Sequence, residues 1–403
     1  MIIKTNILNP VSQQKAEFIP EVFISISRGK ISSISKATLS HDFIDHSDLI
    51  CIPGFIDTHV HLSQFYIRGS HSPTLLHWLN TYTFIEEFRS KEPDFARKVA
   101  QDFFRDSIKK GTTTSVIYTA PLKQACDIAF EVAQNLGVRA VIGKTMMDSG
   151  CPDFLKENTN TSFKESVELF EKWNKKTDLL EYVFSPRFAL TSSAELMQLI
   201  GDFAKANDAF IQTHLSENHE EIKTTLQLFP DCESYTAIYR KYNLLGPKTI
   251  LGHVLHVDDN EIDILRETKS KVAHCPDSNF FLKSGMFPLK RLQEAGIDLA
   301  LASDVAGGTS LSMLNVMKMC SFRQNDYVVS PQEAFYYATL GGAKVLGKED
   351  IIGSIEEGKD ADLVFIKNPD QNKYNCSELL SKLIYVNEEV EIISAMVAGR
   401  KMF

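Results

Sequence analysis

Two histidines one residue apart, His59 and His61, close an apolar run near the start of the chain. Along an extended strand, residues i and i+2 point to the same side, so both imidazoles would enter one cavity. Three more polar groups hold a similar place: His214 ends the run from Phe210, His253 the run from Thr249, and Asp304 the run from Ile297. His59, His61, His214 and Asp304 form a nitrogen–oxygen donor set that suits Zn²⁺, with Fe²⁺ as the alternative ion. Glu217 follows His214 by three residues. A carboxylate there can take a proton from water and return it to a leaving group. Each group also has a plainer role. A strand-end histidine can satisfy backbone groups, and a glutamate in a first helical turn complements the helix dipole. Glu220 and Glu221 could fill that dipole role, so position favours Glu217 for proton transfer. What argues for a metal centre is the joint recurrence at strand ends.

Eight segments read as strands that would position these groups: Cys51–His59, Thr113–Tyr118, Val138–Lys144, Tyr182–Arg187, Phe210–His214, Thr249–His253, Lys271–Cys275 and Ile297–Asp304. Helix-length amphipathic stretches alternate with them, at Asp94–Lys110, Leu122–Leu136, Ser162–Lys175, Ser193–Lys205 and Asp258–Glu267. Alternation of this kind predicts an α/β fold, a (β/α)8 TIM barrel with its active site at the C-terminal ends of the strands. A doubly wound open sheet is the rival, but neither Gly-x-Gly-x-x-Gly nor a phosphate-binding loop is present. Such a barrel takes roughly 250 residues, and the chain has 403. Both ends carry β-rich, turn-punctuated sequence, so residues 1–50 and 353–403 are expected to fold together as a small discontinuous β-sandwich domain beside a barrel of residues 51–352. The remaining surplus, Leu62–Asp94, reads as a long loop that covers the pocket.

Bulk properties narrow the function. A formal charge of −9 argues against nucleic acid or an anionic membrane as partner. No apolar run approaches the roughly 20 residues that span a bilayer, and no signal peptide is read at the N-terminus. The seven cysteines are scattered, with no Cys-x-x-Cys, which fits a reducing cytoplasm. His219-Glu220-Glu221 matches half of the other zinc-deaminase signature, but Pro-Cys-x-x-Cys is missing. His-Glu-x-x-His and Gly-x-Ser-x-Gly are also missing, which argues against a zinc endopeptidase and an α/β-hydrolase.

Pro53-Gly-Phe-Ile-Asp-Thr-His-Val-His61 resembles the opening motif of the amidohydrolase superfamily. Within it, the chain is similar to the guanine deaminase family at Leu75-Leu-His-Trp-Leu-Asn-Thr-Tyr-Thr-Phe84, Lys110-Gly-Thr-Thr-Thr114, Gly143-Lys-Thr-Met-Met-Asp148, Ser185-Pro-Arg-Phe-Ala-Leu190, Thr213-His-Leu-Ser-Glu-Asn218, Ala273-His-Cys-Pro-Asp-Ser-Asn279 and Ser303-Asp-Val-Ala-Gly-Gly308. The resemblance implies zinc-dependent hydrolysis of guanine to xanthine and ammonia, with one zinc on His59, His61, His214 and Asp304. It implies Glu217 as proton shuttle, Asp304 as a second acceptor of the water proton, and His253 as a hydrogen-bonding group beside the metal. Gln64, Trp78, Arg187 and Phe188 would bind the purine. A homodimer is expected on the same ground. Arg187 can donate to the 6-oxo group, Gln64 can donate and accept, and either aromatic ring can stack on the base.

The sequence departs from the family pattern at Leu251-Gly-His253-Val254, where Ala-His-Gly is usual, and at Asp277, where Asn is common; neither removes a proposed catalytic group, but both could tune the pocket. Lys144 ends a candidate strand, so a lysine-bridged two-metal site is the rival to a single ion. Since fold does not fix substrate, the alternative function is a related aminohydrolase acting on 8-oxoguanine, cytosine, a triazine or an adenosine derivative. A non-catalytic scaffold on the same barrel is disfavoured because every candidate ligand is present.

Overall fold

The computed structural model describes residues 1–367 and 374–403. Four strands open the chain: β1 (Ile2–Ser12), β2 (Lys15–Ser27), β3 (Lys30–Ser35) and β4 (Ile44–Pro53). Eight follow in the middle: β5 (Phe55–His61), β6 (Thr112–Thr119), β7 (Arg139–Met146), β8 (Leu180–Pro186), β9 (Phe210–Leu215), β10 (Thr249–His253), β11 (Lys271–His274) and β12 (Leu299–Leu301). Three close the chain: β13 (Leu363–Lys367), β14 (Ile392–Val397) and β15 (Arg400–Lys401).

The middle eight form one parallel sheet in sequential order, β5 to β12. Bonds from the segment around and after β12 draw the ring nearly shut. Thr58 Oγ1 donates to Leu301 O at 2.9 Å, Asp304 N to His59 O at 2.9 Å, and His61 N to Val305 O at 2.8 Å. Side chains alternate along the strands as a two-residue period requires. Val116, Val141, Val183, Phe210, Ile250, Ala273 and Ala300 join an inner cluster, while Ile117, Ile142, Phe184, Ile211, Leu251, Val272 and Leu301 pack in the larger core with the surrounding helices. These helices include Pro93–Lys109, Lys123–Leu136, Thr159–Trp173, Ala194–Asn207 and Asp259–Thr268, within a few residues of the sequence expectation.

The two chain ends share a separate seven-stranded sheet, ordered β3-β2-β1-β4-β13-β14-β15. The β1–β4 pairing is parallel and the others are antiparallel. Its apolar face gathers Ile3, Ile24, Leu49, Leu363 and Phe365 into a core of its own. Arg139, the first residue of β7, ties this sheet to the barrel: its Nε donates to Asp362 at 2.9 Å and its Nη2 to Asp360 at 2.7 Å. Of the C-terminal segment, residues 368–373 lie outside the described residues.

Three expectations change in detail. The apolar run Cys51–His59 is not one strand. Cys51–Pro53 complete β4 in the outer sheet, and Phe55 begins the barrel. The run is continuous because both sides of this passage are buried; the break falls at Gly54, where an added Cβ would lie 2.1 Å from Thr113 Oγ1. Leu62–Asp94 is largely helical rather than a loop. A 3-10 turn at Leu62–Ile67 precedes a helix from Leu75 to Arg89, widened to π geometry over Leu79–Thr83. The C-terminal portion, read as β-rich, also contains the helix Cys376–Tyr385, capped by Asn375 and Glu378 in a reciprocal capping box.

Candidate metal centre and active site

His59 and His61 leave β5 on one side, as the i, i+2 rule requires. His214 lies near the end of β9, His253 ends β10, and Asp304 lies three residues beyond β12. One donor atom from each of His59, His61, His214 and Asp304 can be chosen so that all lie within 4.8 Å of one another. Asp304 Oδ1 is 3.4 Å from both His59 Nε2 and His61 Nε2, and His61 Nε2 is 3.2 Å from His214 Nε2. Both ring nitrogens of His59 and the Nδ1 of His61 are buried without a hydrogen-bond partner among the described residues. Buried polar atoms are seldom left unpaired, so a divalent cation fits this cluster. A second grouping, His59, His253, Cys275 and Asp304, shares two of the same residues.

Neighbouring groups fix the imidazoles. His214 Nδ1 is 2.7 Å from the carbonyl of Arg187, so Nδ1 carries the proton and Nε2 faces the cluster. Burial lowers the pKa of His59, of His214, and of His61, the last to about 3, and so keeps the rings neutral, as coordination requires. Burial alone would raise Asp304. The His59 and His61 rings beside it and the charge of His253 outweigh burial and hold the carboxyl well below its usual range.

Glu217 lies in the same cavity. Its pKa is raised, chiefly by burial and further by the charge of Asp304, against the pull of His253. Ser284 Oγ donates to Glu217 Oε1 at 3.0 Å. His253 Nε2 is 3.6 Å from Glu217 Oε2 and 3.7 Å from Asp304 Oδ2. Burial pulls the His253 pKa down, but these two carboxylates outweigh it and raise it. His253 Nδ1 is 2.8 Å from Asn279 Oδ1, an acceptor that fixes the tautomer. Glu221 takes the structural role available to an acidic residue here: its Oε2 accepts from the backbone nitrogens of Glu217 and Asn218, both at 3.1 Å. Ser216, His253, Val254 and Asp304 all have positive φ, at 50°, 69°, 53° and 46°. Such strain concentrates at functional sites, and for a β-branched residue such as Val254 it is unusual.

The cavity contains about 390 Å³ of space, part of it open to solvent. His61, His214, Glu217, His253 and Asp304 form its floor, and Gln64, Trp78, Arg187 and Phe188 stand around them. Every expected site residue thus faces this cavity except His59, which lies beneath it, fully buried. Leu75, Leu79, Leu282 and Gly307 also line it and were not singled out. The 75, 78, 79 spacing of apolar residues was the available signal for a helix here. Glu87, Asn279 and Ser284 were missed as partners of site residues. Asn279 sits in the quoted Cys-Pro-Asp-Ser-Asn run; Ser284 carries no such mark.

Two positions that the sequence left open are placed by the structure. Lys144, the residue of the rival two-metal reading, does not face the metal cluster. It shares the outward parity of Ile142 and bonds Glu157 and Ser162, the latter on the helix Thr159–Trp173. Asp277 does not line the cavity; its Oδ2 accepts from Thr309 N and Oγ1, both at 2.7 Å, and so braces the loop after Asp304.

Known proteins resemble this chain over most of its length. The guanine deaminase of Escherichia coli K12 is 36% identical over 370 residues, covering 89% of this chain and 84% of its own. That of Dictyostelium discoideum is 35% identical over 376 residues, at 89% and 84% coverage. A crystal structure of guanine deaminase from C. acetobutylicum with bound guanine superposes with a TM-score of 0.95 at 32% identity, over 100% of this chain and 99% of that one. The family model described as Amidohydrolase family matches residues 50–402, so barrel, donor cluster and sequence agree that this chain belongs to the amidohydrolase family.

Proposed function

We propose that this chain is a metal-dependent guanine aminohydrolase that converts guanine and water to xanthine and ammonia. The observation that carries this reading is the single cavity. It joins the four-donor cluster and Glu217 to Arg187, Gln64 and two aromatic side chains, and it does so in a chain 36% identical to a guanine deaminase.

His59, His61, His214 and Asp304 would hold one Zn²⁺. When bound, the cation supplies Lewis acidity that makes water a nucleophile near neutral pH. Arg187 donates to the 6-oxo oxygen, Gln64 reads the adjacent edge, and Trp78 and Phe188 pack against the ring. This presents C2 to the floor of the cavity. Glu217, ionised, takes one proton from the attacking water and delivers it to N3 while the C2–O bond forms. The second water proton passes by way of Asp304 and Glu217 to the 2-amino group. The C2–N bond then breaks, ammonia leaves, and C2 keeps the water oxygen as a carbonyl. His253 stabilises the negative charge that develops beside Glu217 and Asp304. The raised pKa of Glu217 suits a group that must both accept and release a proton.

The same reading takes the protein to be a cytoplasmic homodimer. The scattered free cysteines support the compartment; light scattering in solution tests the oligomer. For the reaction, the decisive assay is loss of guanine absorbance in the ultraviolet with and without a chelator. Turnover that the chelator abolishes and zinc restores is expected. A zinc-replete protein that leaves guanine intact but deaminates another heterocycle refutes the substrate assignment.

A further inference from the structure

Glu87 is fully buried on the helix Phe84–Arg89, which continues the turns whose Leu75, Trp78 and Leu79 line the cavity. A buried carboxylate is costly unless paired and hydrogen-bonded. Both of its partners are groups assigned above to the purine. Arg187 Nη1 donates to Glu87 Oε1 and Oε2, each at 3.0 Å. Gln64 Nε2 donates to Glu87 Oε1 at 2.8 Å. One turn earlier on the same helix face, the Phe84 ring lies 5.3 Å from the Arg187 guanidinium carbon.

This arrangement has two consequences. The charge of Arg187 is compensated before any ligand arrives, and among the described residues its other guanidinium nitrogens make no hydrogen bond. The Gln64 amide is fixed in one orientation. An ionised carboxylate only accepts, so the amide nitrogen must face it. On the other side, Gln64 Oε1 accepts from Ala306 N at 3.4 Å. A flipped amide would set its oxygen against the carboxylate and its NH₂ against a backbone N–H.

We propose that Glu87 is a positioning residue that fixes the donor–acceptor order in which Arg187 and Gln64 read the purine edge, and so selects a ring carrying the 6-oxo group. The proposal rests on the guanine reading above. A 6-oxo purine presents an acceptor oxygen beside the N1–H donor. A purine without that oxygen presents no such acceptor, and its N1 is itself an acceptor.

The test compares guanine with 2-aminopurine, which keeps the scissile 2-amino group and lacks the 6-oxygen, in the zinc-loaded wild type, Glu87→Gln and Glu87→Asp. Glutamine has nearly the same shape but is neutral and can donate, so the Gln64 amide is free to turn. For Glu87→Gln, kcat/KM for guanine is expected to fall about 30-fold or more, with 2-aminopurine changed by less than about threefold, which shrinks the preference about tenfold. Aspartate keeps the charge but not the simultaneous reach to Gln64 and Arg187, so its preference falls between the two. Zinc content and thermal midpoint report folding, and Glu87→Asp carries the test if the neutral variant does not accumulate. The preference ratio is the readout that a merely structural role would not move. An equal loss on both bases, or an unchanged preference in both variants, overturns the proposal. Failure of the wild type on guanine overturns the underlying activity and the proposal with it, and is told apart because it precedes any substitution.

Discussion

Replacing Glu217 by glutamine isolates proton transfer from everything else the site does. The amide keeps the length and volume of the side chain. Its oxygen can still accept from Ser284 Oγ, which lies 3.0 Å from Glu217 Oε1. None of the four proposed metal ligands is altered, so zinc content should match the wild type. What is lost is the ability to take a proton from water and pass it to N3. General acid–base catalysis of this kind contributes about 10²–10⁴-fold, which at about 1.4 kcal/mol per tenfold is about 3–5 kcal/mol of barrier. The deficit should lie in kcat more than in KM, since Arg187, Gln64 and the two aromatic side chains still hold the base. It should not be recovered at any pH, because an amide does not titrate in the working range and cannot serve as the base. Guanine turnover followed by ultraviolet absorbance, with metal measured by mass spectrometry on the same sample, gives both numbers. A zinc-replete Glu217→Gln enzyme within about tenfold of wild type would refute the assignment and move proton transfer to Asp304 or His253.

Other perturbations separate metal, support and scaffold. His59→Ala removes a fully buried donor and should give a folded protein with little zinc; stoichiometric zinc in that variant contradicts the ligand set. Ser284→Ala deletes the hydroxyl bonded to Glu217, and a hydrogen bond to a charged group is worth about 1.5–3 kcal/mol, so a roughly tenfold or greater fall in kcat with normal metal is expected; unchanged kcat removes Ser284 from the argument. Arg139→Ala strands the buried Asp362 and should cost about 3–5 kcal/mol of stability, read as a lower thermal midpoint with little change in kcat. That loss should depend on pH. Burial alone would raise the pKa of Asp360, but bonds from Lys30 and Arg139 outweigh it and lower it. A lowered carboxylate adds stability above its unfolded pKa, about 3.9, and loses it as pH falls through the folded value. The gap between wild type and Arg139→Ala should therefore narrow on acidification below about pH 4, and a gap that widens there contradicts the pairing.

How much of this was legible in the sequence depends on the range of the physical signal. The barrel strands were legible because each is a short apolar run buried on both faces, and the donors because each stands at a strand end. The His59–His61 pair was the clearest case, since its geometry follows from a two-residue period alone. The same period decides against the rival role of Lys144: Val141 and Gly143 share the inward parity, so Lys144 points out toward the helices. The division of Cys51–His59 between two sheets was not legible, because continuous burial hides a change of partner. Glu87 and Ser284 were not legible for another reason. Nothing local distinguishes them from an ordinary helix glutamate or loop serine; their meaning lies in partners 100 and 67 residues away.

That difference in range matches a division of labour. The proposed metal ligands, Glu217 and His253 sit on or just beyond barrel strands, and His214, Glu217 and His253 are held there by a backbone carbonyl or a neighbouring side chain. Gln64, Trp78 and Glu87 belong to the covering segment between β5 and the helix Pro93–Lys109. Arg187, just beyond β8, is the one proposed recognition group on the barrel that is tied by charge to that cover. On the proposed reading, hydrolytic chemistry depends on the barrel strands, while the choice of base depends on how the cover docks against Arg187. Exchanging cover side chains should shift substrate preference before it shifts metal binding, and exchanging strand-end side chains should do the reverse. A barrel can in this way keep one reaction while its relatives diverge in substrate, which is why fold alone does not name the base and why the Glu87–Arg187 contact carries more information about substrate than the donor cluster does.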